Sequence, residues 1–198
     1  MKIAKSPTRV RILKSASLLF YRKGVRAVSM DDVAEAANVT KMTVYQHFRS
    51  KEALLLDTLR ARHVERQTRL AKYIASTAHL PPAQRLGSIF DWLYELWSHS
   101  DWRGCPFVNA ATEMASQTDA VRKLALESKV ALRNLLQELA KDTGIDDPAR
   151  TADALLLLIE GATTIAMLEQ DAKAALRAKA VALSMFRAPE TQKDMATM

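Results

Sequence analysis

The chain has 198 residues, 48% of them hydrophobic, with five glycines and six prolines, which supplies one large or two small cores and excludes a low-complexity polymer. Its net charge of +7 is unevenly divided: residues 1–72 hold 16 Lys/Arg against 6 Asp/Glu, and the remainder holds 13 against 16. A basic front on a near-neutral back is the footprint of a polyanion-binding module joined to a second function, and a single cysteine, Cys105, excludes an intrachain disulfide and fits a reducing, cytoplasmic setting.

The elements read as helices from the first turn signal onward. Ser6 followed by Pro7 caps a helix with proline at its first position. Ile12, Leu13, Ala16, Leu19 and Phe20 fall on one face of it, and Gly24 ends it. Ser29 caps a second helix over about 31–37, with Asp31 and Asp32 in the first turn, where the helix dipole favours acids. Met30, Val33, Ala34 and Ala37 form its buried stripe. A tight corner at Asn38-Val39 leads to the Thr40 cap and a helix over 41–47, before Ser50 caps the next. Val39 and Val44 stand at the spacing of a hydrophobic staple, which turns Val39, Val44 and Phe48 inward and the polar side chains outward. Seven residues are too few for an isolated helix, which needs about 12–15 in water. Packing therefore holds it, and the pair of helices reads as a helix-turn-helix presenting its second member to a DNA major groove.

Those same residues resemble a known family. Phe20, Gly24, Ser29, Val33-Ala34, Ala37, Val39-Thr40, Thr43-Val44-Tyr45, His47-Phe48, Lys51-Glu52 and Leu54 have the spacing of the DNA-binding domain of TetR-family bacterial transcriptional regulators, over about residues 9–56. Gly104-Cys105-Pro106-Phe107-Val108-Asn109-Ala110 and the run Leu155 to Ala162 resemble the family more loosely. Met42 departs from the small residue many members carry, so base preference does not transfer. Lys41, Met42, Thr43 and Gln46 lie outward as candidates for base edges: Gln suits adenine, Lys guanine, and a Thr or Met methyl the thymine methyl. The resemblance implies phosphate contacts for Tyr45, His47 and Lys51. Ser29 and Thr40 are caps that double as candidate phosphate donors. Lys2, Lys5 and Arg9 form a candidate arm along the backbone. Four scattered histidines offer no metal-ligand spacing, and no cofactor is expected.

After Ser50 a long helix extends to about Thr77, polar and basic in its later part, and Pro81-Pro82 marks the next boundary. The resemblance makes it the connector between the DNA-binding and regulatory domains. Leu86, Ile89, Phe90, Leu93 and Trp97 then share a face, with Trp92, Tyr94 and Trp102 nearby. Core packing and the wall of a ligand cavity are both open for them. Phe90, Leu93, Tyr94, Trp97, Cys105, Asn109 and Glu113 are the effector-contact candidates. Asn109 and Glu113, at i and i+4 on a helix starting near Pro106, suit either a ligand or the bracing of an adjacent helix. Cys105, next to a helix N-terminus, reads as a packed small side chain or as an oxidant-sensing thiol.

Val121, Leu124, Leu132, Leu135, Leu136 and Leu139 make a long helix stopped at Gly144, and Asp147-Pro148 opens another. Its apolar run, Ala154 to Leu168, is 15 residues and holds Glu160, too short and too polar to span a bilayer, so no membrane partner is expected. A last helix follows Asp171. Leu155, Leu158, Ile159, Ala162, Ile165, Leu176 and Leu183 are expected at a homodimer interface, two helices from each protomer forming a four-helix bundle.

The sequence thus predicts an all-α fold: a three-helix DNA-binding domain at residues 1–50, a connecting helix at 51–80, a helical regulatory and dimerisation domain at 81–188, and a frayed tail at 189–198. No nucleophile–base pair, paired acids or metal cluster points to an enzyme. The function it points to is a dimeric repressor, released from double-stranded operator DNA by a small apolar or amphipathic effector.

Overall fold

The computed structural model describes residues 6–114 and 119–186; the expected tail lies outside these. Nine helices and no strand occur among the described residues: α1 (Pro7–Lys23), α2 (Met30–Ala36), α3 (Lys41–His47), α4 (Lys51–Ser76), α5 (Pro82–Trp97), α6 (Pro106–Glu113), α7 (Asp119–Lys141), α8 (Pro148–Glu169) and α9 (Ala174–Ser184). Local chemistry sets most boundaries. Ser6, Ser29, Thr40, Ser50 and Asp147 each accept a backbone N–H three residues on, filling donors that a helix start leaves unpaired. Pro81 and Cys105 begin α5 and α6 without a side-chain cap bond, each followed by proline.

The N-terminal head is a small bundle of α1, α2, α3 and the start of α4. Asn38 takes a positive φ of 49° at the corner between α2 and α3, a conformation asparagine tolerates. Residues of α1 close the end of α2: Arg11 Nε donates to the Ala37 carbonyl at 2.7 Å and Ser15 Oγ to that of Ala36 at 3.0 Å. Arg9 pairs with Asp57 and lies over the Phe48 ring at 4.7 Å. It is therefore part of the head's packing and not a free arm; Lys2 and Lys5 lie outside the described residues.

Two hydrophobic cores result, and their border differs from the sequence division. One joins Leu70 and Ile74 of α4 with residues of α5, α7, α8 and α9. The other gathers Ile12, Phe20, Val33, Val44, Phe48 and Leu55 of the head with Phe107, Ala110 and Met114 of α6 and its flank, and with Val121 and Leu124 of α7. The head is thus built partly from residues beyond position 81. Periodicity marked the stripes of α1, α2, α3 and α7 for burial, not Phe107, Ala110 or Met114, and a stripe carries no record of which neighbour does the burying.

By length and composition α8, with 22 residues, matches a membrane span among the described helices; the sequence expectation counted only the shorter run from Ala154 to Leu168. In the fold it packs against α7 and α9, with Leu155, Ile159, Ala162 and Ala166 in the protomer's core.

Candidate nucleic-acid interface and effector cavity

Val44 is fully buried and Phe48 nearly so, which fixes the rotation of α3 and leaves its other side chains outward. Met42 is 69% exposed and Tyr45 43%; Lys41 and Gln46 are also exposed, and Thr43 and His47 partly so. Lys41 Nζ lies 2.8 Å from Asp31 on α2, and that hydrogen bond raises the pKa of its ammonium group. Both partners are exposed, so the pair is weak and open to exchange for an external anion. Lys51 Nζ sits 3.4 Å from the Arg26 carbonyl, on the same side as the first turn of α2.

The caps are structural in this geometry. Ser29 and Asp32 form a reciprocal capping box: Asp32 N donates to Ser29 Oγ at 3.1 Å, and Ser29 N to Asp32 Oδ2 at 2.6 Å. The Ser29 hydroxyl and amide hold the Asp32 carboxyl below the usual carboxylate range. Thr40 Oγ1 accepts Thr43 N at 3.1 Å and lies 2.9 Å from Thr43 Oγ1.

Behind the head, side chains from distant segments meet. Tyr21 of α1 donates its hydroxyl to the Gly104 carbonyl at 3.0 Å and accepts from Arg103 N at 2.7 Å. Burial pushes its pKa up, an effect the Arg103 N–H opposes. Arg62 of α4 lies over the Tyr21 ring at 4.8 Å and donates to Ser17 Oγ and the Ser17 carbonyl at 2.7 and 3.0 Å. Around these residues open a cleft of about 1340 Å³ of mixed polar and apolar lining between head and body and a cavity of about 390 Å³ bounded by α4, α5, α8 and the α5–α6 loop. The smaller volume lies in the range of small-molecule sites.

Comparison with known proteins agrees with this geometry. Residues 12–58 match the family model described as bacterial regulatory proteins, tetR family, and residues 82–181 match that of the LmrA/YxaF-like transcriptional regulator C-terminal domain. The chain belongs to the TetR family of bacterial transcriptional regulators. It is 31% identical over 123 residues to the HTH-type transcriptional repressor DhaR of Mycobacterium sp. (strain GP1), which covers 61% of this chain and 59% of that protein. It is 32% identical over 132 residues to the HTH-type transcriptional activator FasR of Mycolicibacterium smegmatis, with the same coverage. The chain therefore spans about three-fifths of the length of both relatives. A TetR-family regulator of known structure from Streptomyces coelicolor superposes with a TM-score of 0.83 at 23% identity, covering 92% of this chain and 97% of the other, a likeness of fold.

Within this TetR-family frame the nominated residues separate. Ser29, Thr40, Lys41, Met42, Thr43, Tyr45, Gln46, His47 and Lys51 all belong to the head, on α3 or at the starts of α2, α3 and α4. Of the effector candidates, Leu93, Trp97 and Cys105 line the 390 Å³ cavity. Phe90 is fully buried in the body core and Tyr94 packs against it. Asn109 and Glu113 border the larger cleft instead and act as braces. Asn109 Nδ2 donates to the Arg103 carbonyl at 2.8 Å; Glu113 Oε2 accepts from Arg26 N at 3.1 Å, and Arg26 Nε donates to the Glu113 carbonyl at 2.9 Å. The i, i+4 spacing put both on one face, but Glu113 meets the head and Asn109 the α5–α6 loop.

Trp92 and Trp102, for which a cavity wall was one of the two open readings, line it as well, whereas sequence reading missed Arg62, Arg66 and Arg69 of α4 and the Lys129–Glu160 ion pair. The basic stretch of α4 was the available signal. Cys105 is half-buried, with Lys129 Nζ 3.5 Å from its sulfur. Of the expected interface residues, Leu155, Ile159 and Ala162 are buried within the protomer, so they offer no surface to a partner. Leu158 and Leu183 are half-buried, and Ile165 and Leu176 are exposed.

Proposed function

We propose that the chain is a homodimeric repressor that grips a pseudo-palindromic operator through two α3 helices and is released by a small effector in the 390 Å³ cavity. The observation that carries the reading is α3 itself. Its Val44 is fully buried, yet the helix is only seven residues long, and its remaining side chains are displayed together on the basic part of the chain. A helix held by tertiary packing with Lys41, Met42, Thr43 and Gln46 outward suits insertion in a major groove, with Tyr45, His47 and Lys51 placed for phosphates.

Dimerisation is supported by apolar exposure on α8 and α9. Leu157 is 73% and Leu168 71% exposed, with Ile165, Leu176 and Val181 beside them in sequence on the same two helices. Large exposed apolar patches mark association surfaces, and a two-fold dimer sets its two heads on half-sites about 34–36 Å apart or a multiple. Among relatives in sequence DhaR and KstR2 are repressors and FasR an activator, a balance that favours repression. Release works by coupling: Tyr21 and Arg62 border both the cavity and the head's cleft, so an effector that shifts α4 also shifts α1. A typical coupling of about 1–3 kcal/mol weakens DNA binding about 5–150-fold.

The test is a nuclease footprint of the purified full chain on DNA flanking its own gene and on a randomised duplex pool, at two salt concentrations. A protected inverted repeat that fades with salt is expected. Recovery of no preferred duplex from the pool, even at low salt, would overturn the operator-binding reading.

A further inference from the structure

The 390 Å³ cavity has an aromatic wall and a cationic one. Trp92, Trp97 and Trp102 all line it, and they are the only tryptophans in the chain. Trp97 and Trp102 stack with ring centroids 5.3 Å apart and planes 29° from parallel. Arg62, Arg66 and Arg69 of α4 line it too, at i, i+4 and i+7 on one helical face.

The charges on these walls do not balance. Lys129 is engaged by Glu160, and Asp101 by Arg22 at 3.5 Å. Glu65 and Asp101 are the acidic side chains left near three arginines that form no ion pair among the described residues, so the lining keeps an excess of positive charge. Arg62 and Arg66 are half-buried and Arg69 exposed. Burial lowers the pKa of Arg62, with Tyr21, Glu65 and Asp101 opposing that effect, but a guanidinium stays charged at neutral pH. Its hydrogen-bond partners are the neutral hydroxyl and carbonyl of Ser17, and its face rests on Tyr21. Two N–H groups serve Ser17, which leaves three of the guanidinium's five donors for a ligand. A half-buried cation satisfied only by neutral acceptors is costly, and an anion in the cavity relieves that cost.

We propose that this cavity binds a planar aromatic carboxylate, its ring against the stacked tryptophans and its carboxylate on the free edge of Arg62. The inference rests on the effector-cavity reading above and adds the ligand's chemistry to it. Arg62 is the contact that distinguishes this ligand from a neutral apolar one: a flat fork matches a carboxylate's two oxygens, and the tryptophan faces accept any flat ring. Since Arg62 also ties α4 to Ser17 of α1, the bound anion acts directly on the link to the DNA-binding head.

The experiment is isothermal titration of the full chain at pH 7 with 2-naphthoate and with its uncharged analogue 2-naphthamide. Wild-type protein is expected to bind the carboxylate at least ~10-fold more tightly. Arg62→Met is expected to erase that preference while keeping its affinity for the amide, which also shows the cavity still folded. Equal or tighter binding of the amide by wild type, a preference that survives Arg62→Met, or no binding of either compound at millimolar concentration would each overturn the proposal. The wild-type comparison decides by itself if the variant is unstable. The footprint is measured without either compound, so failure of the ligand class and failure of the repressor reading register separately.

Discussion

Replacing Phe107 by alanine tests whether the DNA-binding head is an independent domain. Phe107 belongs to α6, far along the chain, yet it is fully buried in the core that holds Ile12, Phe20, Val44 and Leu55 of the head. Its ring meets His63 of α4 edge-on, with centroids 6.1 Å apart and planes at 87°. Burying ~150 Å² of aromatic surface at ~25 cal/mol per Å² is worth about 4 kcal/mol. The aromatic contact adds about 0.5–1.5 kcal/mol, and the retained methyl of alanine keeps a fraction of the whole. The expected loss is therefore about 3–5 kcal/mol, the usual range for a buried Phe→Ala. Urea denaturation at one fixed protomer concentration measures it. Tryptophan fluorescence reports the body, where Trp92, Trp97 and Trp102 lie, and far-ultraviolet circular dichroism reports all helices. If the core is shared, both probes move together, by about 1.5–2.5 M urea at an m-value near about 2 kcal/mol/M. A loss below about 1 kcal/mol would refute the reasoning. So would a head that melts early while the fluorescence midpoint stays at the wild-type value.

Gly24→Ala should cost about 1–3 kcal/mol, because Gly24 holds φ 85° and ψ 156° and an added Cβ would lie 3.1 Å from both Glu113 carboxylate oxygens; an unchanged thermal midpoint would show that the corner accepts a side chain. The Asp32 carboxyl is held low by Ser29, so its contribution is present above the ordinary carboxylate pKa of about 4 and disappears as pH falls through its lower folded value. Asp32→Asn should accordingly be less stable than wild type at neutral pH and converge with it in acid, in melts across pH; a gap that widens in acid would contradict this. Gln46→Ala should alter which duplexes are selected from a random pool, whereas Lys51→Met should weaken all duplexes alike and flatten the salt slope by about one unit. Leu157→Glu combined with Leu168→Glu should shift sedimentation from dimer to the 22.1 kDa protomer, and a persisting dimer would move the interface off this exposed stripe of α8.

What the sequence determined by itself was local. Thr40 and Ser50 bracket α3 because a cap acts on an N–H three residues away; Ser6 opens α1 in the same way, and Gly24 closes it with a positive φ and its own N–H on the Phe20 carbonyl. Stripes of apolar residues announced which faces would be covered. Only the tertiary structure decided what covers them. It placed Phe107 under the head, turned Glu113 toward Arg26, and drew Leu155, Ile159 and Ala162 inside the protomer while leaving Leu157 and Leu168 outside. It also brought Arg62, Trp102, Lys129 and Glu160 around one cavity, from four segments that no short-range pattern connects. Helical periodicity records that a side chain is buried, and a cap records where a helix begins. The partner across a helix–helix contact depends on how whole helices pack, and that information is spread over residues up to a hundred positions apart.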